Sequence, residues 1–364
     1  MKIIQIIDVR WYNACADFAI KQAQALVLAG HSVLLMANPE SPPAKKAREL
    51  GLDLNTDIDF SKSKNTLGAV SKLRRIAGAF SADILFAHRG ESHLVAALAG
   101  RGQSFKVARF RGDVRPPRKN IFSKWLNNKL TNGVAVSTER LRLDYEKSIG
   151  GKSPHVIYPG IDSIIYKPKA DKRALKRKFN LNPDDPVIGI VGRLSPVKGH
   201  RFFIEAAKLI SMKFPRAQYV IAGGDAQISL AELQISASLL KIPNFKYFGH
   251  VDNISEIMGA FDIGVIASTG SEMICRVLLE YHSAGLPVIG TSVNQISELL
   301  LQSNGGILVP PADSISLSNA AIVMLSDKKK METFAANGSK WVESRSLKTL
   351  GEESASFLAG VACA

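Results

Sequence analysis

The stretch Val187–His200, VIGIVGRLSPVKGH, decides the fold. Its first part, Val187 to Val191, predicts a buried strand, because a strand covered on both faces reads as a near-continuous apolar run without polar alternation. Gly192 to His200 then forms a loop, and a helix is predicted to begin near Arg201. A strand followed by a loop and a helix is half of a parallel crossover unit. The same grammar runs along the chain in both directions. Upstream, strands are predicted at Ile3–Asp8, Ser32–Met36, Ile84–Ala87, Lys106–Phe110, Gly133–Ser137 and His155–Tyr158. Downstream they are predicted at Gln218–Ala222, Phe245–Phe248, Ile263–Ala267, Pro287–Gly290 and Gly306–Val309, with only helices after about Asp313. This alternation predicts an α/β chain of two doubly wound, parallel-sheet, Rossmann-like domains facing a cleft.

The boundary falls in YPGIDSIIYKPKADKRALKRKF (158–179), where Pro159, Gly160 and Pro168 punctuate the chain before a charged helix. The expected organisation is an N-terminal domain over 1–165 and a C-terminal domain over 166–345. A last helix over 346–364 is expected to pack back toward the first domain. With 364 residues, each domain is long enough to bury its own core. Hydrophobic residues at 46% and charged residues at 22% exclude a disordered chain. Three cysteines without CxxC spacing argue against both a disulfide framework and a cysteine zinc site, and point to a reducing cytoplasm. MKIIQIIDVR is too short for a secretory h-region, and no apolar run approaches the ~18 residues of a membrane span.

The net charge of +15 is unevenly placed: 25 basic and 14 acidic residues occupy 1–165, against 22 and 18 in the remainder. Residues 101–129 hold Arg101, Lys106, Arg109, Arg111, Arg115, Arg118, Lys119, Lys124 and Lys129 with one acid, Asp113. Such a surface suits nucleic acid, an anionic membrane or a phosphorylated substrate.

In open parallel sheets, ligands sit beyond the carboxyl ends of the strands, at helix N-termini that favour anions. Arg193 and Lys198 are delivered there by the loop after Val191, and a guanidinium fork beside an ammonium suits a diphosphate. STGSEMICRVLLEYHSAGLPVIG (268–290) supplies two carboxylates, Glu272 and Glu280. On one regular helix they would share a face about 12 Å apart. With Glu272 in the loop and Glu280 in the helix, one can meet a sugar hydroxyl and the other a ribose diol. Two solvated helix glutamates are the plainer alternative, against which stand the apolar neighbours Val277, Leu278 and Leu279.

Taken together, VIYPGIDSIIYKP, VGRLSPVKGH, the E-x7-E pair, AGLPVIGT and NGGILVPPAD span 156–313 in an order that resembles retaining glycosyltransferases of family 4, which have the GT-B fold. Their bacterial members include enzymes of lipopolysaccharide and surface-glycan assembly. The first half matches more loosely, through the opening strand, QALVLAGHSVLL and SADILFAH. The resemblance implies that Arg193 and Lys198 hold the diphosphate of a UDP- or GDP-sugar, Glu280 the ribose and Glu272 the transferred sugar. It places the amides of Met273, Ile274 and Cys275 beside sugar and phosphate oxygens, and the turn at Gly249, His250 and Val251 beside the base. It sets His88, at the head of HRGESH, across from the donor, with Arg89 and His93 as neighbours. One departure is the loop RWYNACADF (10–18), where many members have two glycines; here Trp11, Tyr12 and Asn13 offer a stacking surface and an amide, and Asp17 is expected to cap the next helix.

The implied reaction retains anomeric configuration and uses no cofactor beyond the donor and no metal, the leaving diphosphate being stabilised by cations and helix dipoles. The acceptor is expected to be a glycan or lipid-linked molecule, with the basic first half on an anionic inner membrane surface and no nucleic-acid partner. The competing readings are a GT-B epimerase or hydrolase, a non-catalytic homologue and a basic nucleic-acid-binding protein. The last lacks aromatic interleaving in its basic segment. A nicotinamide enzyme lacks its GxGxxG after the first strand.

Overall fold

The computed structural model describes residues 1–60, 66–251 and 253–363, so the expected last helix is described up to Cys363, with Ala364 outside the described residues. The chain divides into two compact units, Met1–Gly160 with Ser346–Ala364, and Ile161–Arg345.

The first unit is built on β1 (Lys2–Ile7), β2 (Ser32–Ala37), β3 (Leu54–Asn55), β4 (Ile84–Ala87), β5 (Lys106–Arg111), β6 (Gly133–Val136) and β7 (His155–Val156). They form one sheet in the order β3-β2-β1-β4-β5-β6-β7, parallel throughout. Ile3, Ile4, Ile6 and Ile7 are all fully buried, and after the exposed Lys2 the first strand carries no polar residue except the buried Gln5. β3 was not legible in the sequence, because a two-residue edge strand carries no apolar run. β7 stops at Val156, two residues earlier than expected; Pro159 beyond it has no N–H for a ladder. The helix Leu347–Ala362 packs on Ala14–Leu28, where Gln22 Nε2 donates to Ser354 Oγ at 2.8 Å.

The second unit contains β8 (Val187–Val191), β9 (Gln218–Ala222), β10 (Phe245–Phe248), β11 (Ile263–Ile266), β12 (Val288–Thr291) and β13 (Gly306–Val309), in the order β10-β9-β8-β11-β12-β13. All its pairings are parallel, so one edge gathers every strand's carboxyl end. The order reverses between β8 and β11, and between β1 and β4 in the first unit. At such a switch the flanking crossovers leave in opposite directions and open a crevice. At the opposite edge of the second unit, buried Lys176 donates to Asp262 at 2.7 Å and to the Asp185 carbonyl at 2.8 Å, fixing the starts of β8 and β11.

Several histidines serve as core residues. His282 is fully buried; its Nδ1 faces the Leu286 carbonyl at 3.3 Å and so carries the proton, and Nε2 meets Ser303 Oγ at 3.0 Å. Burial lowers its pKa to about 4. Burial, then the charge of Lys198, does the same to His200, also to about 4. Because the folded pKa values lie below the unfolded value, the unfolded chain binds more protons as pH falls, and stability is lost on acidification below about 6.5. Each group contributes a slope of about 1.4 kcal/mol per pH unit there. Thermal midpoints measured from pH 7 to pH 5 should fall steadily, and less steeply in His282→Gln; midpoints independent of pH in this window would contradict the assignment.

Candidate functional site

The carboxyl edge of the second sheet brings together most of the residues singled out in the sequence. After β8 the chain passes Gly192, whose N–H donates to the Ala222 carbonyl at 2.9 Å, and Leu194, whose N–H donates to the Gly224 carbonyl at 3.0 Å. Gly223 has φ +155°, and a Cβ there would lie 2.0 Å from the Gly192 carbonyl oxygen, so no larger residue fits beneath the loop. Leu194 is fully buried and anchors the loop, while Arg193 beside it is exposed and has no partner among the described residues. A short turn, Pro196–Lys198, leads to Gly199 at φ +71°, from which the helix His200–Lys213 departs. A Cβ on Gly199 would sit 1.9 Å from the Ala267 carbonyl oxygen. No side chain caps this helix, so its positive end faces the loop that carries Arg193 and Lys198.

Beyond β11 the chain runs through Ser268 to Cys275 before the helix Arg276–Ser283. Glu272 lies in this loop and Glu280 in the helix, which selects the second of the two geometries weighed from the spacing. Both are buried, at 7% and 6% exposure, so neither is a solvated helix glutamate. Ser271 and Glu272 are left-handed, with φ +61° and +55°, a conformation that costs a non-glycine residue about 1–3 kcal/mol. The loop is held there from several sides. Ser268 Oγ donates to Glu272 Oε1 at 2.8 Å, the Thr269 N–H donates to the Val197 carbonyl at 2.8 Å, and the Gln295 N–H donates to the Glu272 carbonyl at 3.1 Å. Lys198 Nζ forms an ion pair with the same Glu272 oxygen.

The Glu280 side chain has no hydrogen-bond or ion-pair partner among the described residues, while its backbone carbonyl accepts from the Ala284 N–H at 3.0 Å. The next residue, Tyr281, is fully buried and ties β8 to β11: its hydroxyl accepts from the Val191 N–H at 2.9 Å and lies 3.4 Å from the carbonyls of Gly189 and Val265. Met273, Ile274 and Cys275 line the start of the helix and are buried. The Cys275 N–H donates to Gln295 Oε1 at 2.5 Å. Burial, then Glu272, raises the Cys275 thiol pKa, keeping it protonated. Gly249, His250 and Val251 follow β10 at the same edge, where the Gly223 N–H is shared between the Phe248 and Gly249 carbonyls at 3.1 Å. Tyr247 donates to the Gly223 carbonyl at 2.8 Å, and burial followed by its contact with Asp225 pushes its pKa up to about 12. Gln295, Ser268 and Tyr281 act on the site and were missed in the sequence, where no spacing marks them.

In the first unit His88 is fully enclosed, with Phe86, Phe110 and Phe18 at ring-centroid distances of 5.0, 5.4 and 6.2 Å. Gln5 Nε2 donates to its Nε2 at 3.0 Å, and Nδ1 has no partner. Burial, then Arg109, holds its pKa well below the usual histidine value, so the ring is neutral. In HRGESH, His88 and His93 are enclosed, Arg89 is half-buried, and Gly90 and Glu91 are exposed. His93 is buried against Thr131 Oγ1 at 2.8 Å. Asn13, not Asp17, caps the helix Ala14–Leu28, accepting from the Ala16 N–H at 3.0 Å. Asp17 stands one turn inside, where it accepts from the Tyr12 hydroxyl at 2.9 Å and pairs with Lys21 at 3.3 Å.

Residues 171–341 match the family model for glycosyl transferases group 1. The second unit carries a glycosyl transferases group 1 domain. Over 161 residues the chain is 26% identical to D-inositol 3-phosphate glycosyltransferase of Mycobacteroides abscessus, covering 43% of this chain and 35% of that protein. Over 275 residues it is 25% identical to N-acetyl-alpha-D-glucosaminyl L-malate synthase of Bacillus anthracis, covering 72% of this chain and 70% of the relative. Against several curated relatives the chain thus spans half of their length or less. In structure it is similar to HepE of Anabaena, crystallised with UDP, with a TM-score of 0.87, 21% identity and coverage of 99% of this chain and 100% of that one. The two parallel-sheet units and this likeness give the GT-B fold, with the group 1 domain as its second half.

Within that domain, Gly199 is the residue whose replacement tests the loop geometry. Gly199→Ala combines a positive φ with a clash against Ala267 and should cost about 2 kcal/mol or more. Urea unfolding measures it, and a variant as stable as the parent would refute the packing described.

Proposed function

We propose that this chain is a retaining glycosyltransferase that transfers a sugar from a UDP- or GDP-sugar to a glycan or lipid-linked acceptor. The observation that carries the reading is Glu280: its residue is 6% exposed, yet its carboxylate has no side-chain partner and its oxygens are not enclosed, so they are left to accept from neighbouring hydroxyls, as those of a ribose diol can be. HepE has been crystallised with UDP and with UDP-glucose, which supports a nucleotide-sugar donor.

In this reading Arg193 and Lys198, together with the uncapped start of His200–Lys213, take the diphosphate. Glu272, oriented by Ser268 and Lys198, accepts from a hydroxyl of the transferred sugar, the Met273 and Ile274 amides lie beside sugar and phosphate oxygens, and Gly249, His250 and Val251 border the base. The bond from the anomeric carbon to the diphosphate breaks as the acceptor oxygen bonds to the same face, and the acceptor proton passes to the departing phosphate oxygen. Lys198 then shares its charge between Glu272 and the leaving group. The chemistry draws on the chain's own cations and on no metal or further cofactor. His88 contributes as a neutral, buried ring behind the first unit's carboxyl edge, a positioning role.

A thermal-shift panel of UDP, GDP, ADP and their sugar conjugates should single out one nucleotide class, since a ligand bound only by the folded state raises its midpoint. Glu280→Ala should weaken that nucleotide. Arg193→Ala and Lys198→Ala should each lower turnover by about 10²–10³, the loss typical of removing one charge-stabilising donor. Unaltered turnover in both would remove the basis of the assignment.

For the acceptor, the reading is lipopolysaccharide core or a related surface glycan, met at the inner face of the cytoplasmic membrane. No described helix is long and apolar enough to cross a membrane. The support is the helix Ile121–Lys129, where Ile121 is 88% and Phe122 53% exposed beside exposed Arg115, Arg118, Lys119 and Lys124. Apolar side chains framed by cations fit an anionic lipid interface. Arg111, grouped with this surface in the sequence, is turned onto Asp113 instead. Cosedimentation with phosphatidylglycerol vesicles should fall about a hundredfold on neutralising Arg115, Arg118 and Lys119, at about 1 kcal/mol per charge, and further on reversing them. Binding indifferent to lipid charge would refute it.

A further inference from the structure

In the first unit a single carboxylate, Asp113, serves three guanidinium groups. Arg109 reaches its Oδ2 at 3.1 Å, Arg111 the same oxygen at 3.6 Å, and Arg89 its Oδ1 at 3.4 Å. Charge-assisted hydrogen bonds of full strength are about 2.7–2.9 Å long, so Arg89 is an underused donor, whereas Arg111 also donates from Nη2 to the Arg115 carbonyl at 2.5 Å and keeps only its remaining N–H groups in reserve. Arg111 Nε is buried without a partner, and Arg109 is 2% exposed, with its other arm on the Ala87 carbonyl at 3.2 Å.

Arg89 also lines a cavity of about 290 Å³ at the switch between β1 and β4, together with Asp8, Arg10, Trp11 and Glu91. Trp11 is 60% exposed and offers a ring face. Asp8 is committed to the start of the helix Gly90–Gly100, accepting from Ser92 Oγ at 2.9 Å and from the Ser92 N–H at 3.3 Å, and burial raises its pKa. With Asp113 the one carboxylate paired to Arg89, Arg109 and Arg111, the guanidinium cluster itself carries an excess of positive charge, although Glu91 also lines the adjoining cavity.

We infer that Arg89 and Arg111, backed by Arg109 and Asp113, form an oxyanion site that holds a phosphate group of the acceptor, whose ring lies against Trp11 in the adjoining cavity. The inference deepens the proposed function by naming the acceptor as a phosphorylated one, and rests on it for the word acceptor. Planar forks at two angles suit the several oxygens of a phosphate, and the single carboxylate preorganises them without filling their donors.

The test is titration calorimetry of the full chain with inorganic phosphate while UDP saturates the second unit. One equivalent of phosphate should bind. Arg89→Gln should weaken it about tenfold or more, whereas Asp113→Asn, which releases three guanidiniums, should tighten it, a gain that a merely structural residue would not produce. The UDP-induced thermal shift should be unchanged in Arg89→Gln. Absence of phosphate binding, or binding indifferent to both substitutions, overturns the site. If UDP itself fails to bind, the donor reading falls, and the phosphate titration is decided separately in an Arg193→Ala, Lys198→Ala background. Phosphatidylglycerol vesicles supply the remaining arm: vesicle binding lost in Arg89→Gln without inorganic phosphate binding would assign the cluster to a membrane lipid headgroup and overturn its assignment to the acceptor's phosphate.

Discussion

The second unit's carboxyl edge depends on the ion pair between Lys198 and Glu272. Glu272 is 93% removed from solvent on a left-handed segment. A buried charge deprived of its partner costs about 3–5 kcal/mol, more than the left-handed backbone itself. The pair also joins the loop after β8 to the loop after β11, the two strands between which the sheet reverses its order. The close approach of Gly199 to the Ala267 carbonyl brings the two loops near enough for that contact. The crevice expected of such a fold is therefore assembled without a ligand, by charge on one side and by the lack of a side chain on the other.

Against this fixed carboxylate stands Glu280, buried to the same degree and lacking a side-chain partner. One acid is spent on structure and orientation, and the other retains its full accepting capacity. Tyr281 explains how the helix carrying Glu280 tolerates it, since its hydroxyl and ring lock the helix against β8 and β11 regardless of the glutamate beside it. Fold stability and ligand affinity are thereby placed on adjacent residues.

What could be read from the sequence follows from the range of the interactions involved. The apolar runs from Ile3 to Val309 mark twelve of the thirteen strands, most plainly where burial on both faces of a parallel sheet leaves a local signature and least so at the edge strands β7 and β10. β3 does not, its two residues being paired only because Leu35 and Met36 lie beside them. The positions of Arg193, Lys198, Glu272 and Glu280 at one edge follow from the strands that precede them. Gln295 was invisible, because its amide reaches back twenty residues to Cys275, and no period or spacing encodes that contact. Asn13 and Asp17 were interchanged because both are good N-cap residues, and only the backbone, extended at Asn13, distinguishes them.

His88 shows the same limit in its sharpest form. Side chains alternate along a strand, so Phe86 and His88 share a face, and Arg109 and Arg111 share one on β5 with Phe110 between them on the other. Phe110 stacks on Phe18 at 4.3 Å and lies 5.4 Å from His88, so that face is aromatic and closed. The opposite face receives Arg89, Arg109 and Arg111, which is open enough for Asp113 to reach all three. A histidine at a strand end looks functional in a sequence because the strand end is where ligands bind, yet parity along the strand decides which of two neighbours points outward. Here parity favours Arg89, and it changes the chemistry of the first unit's edge from a neutral imidazole to a field of guanidinium donors.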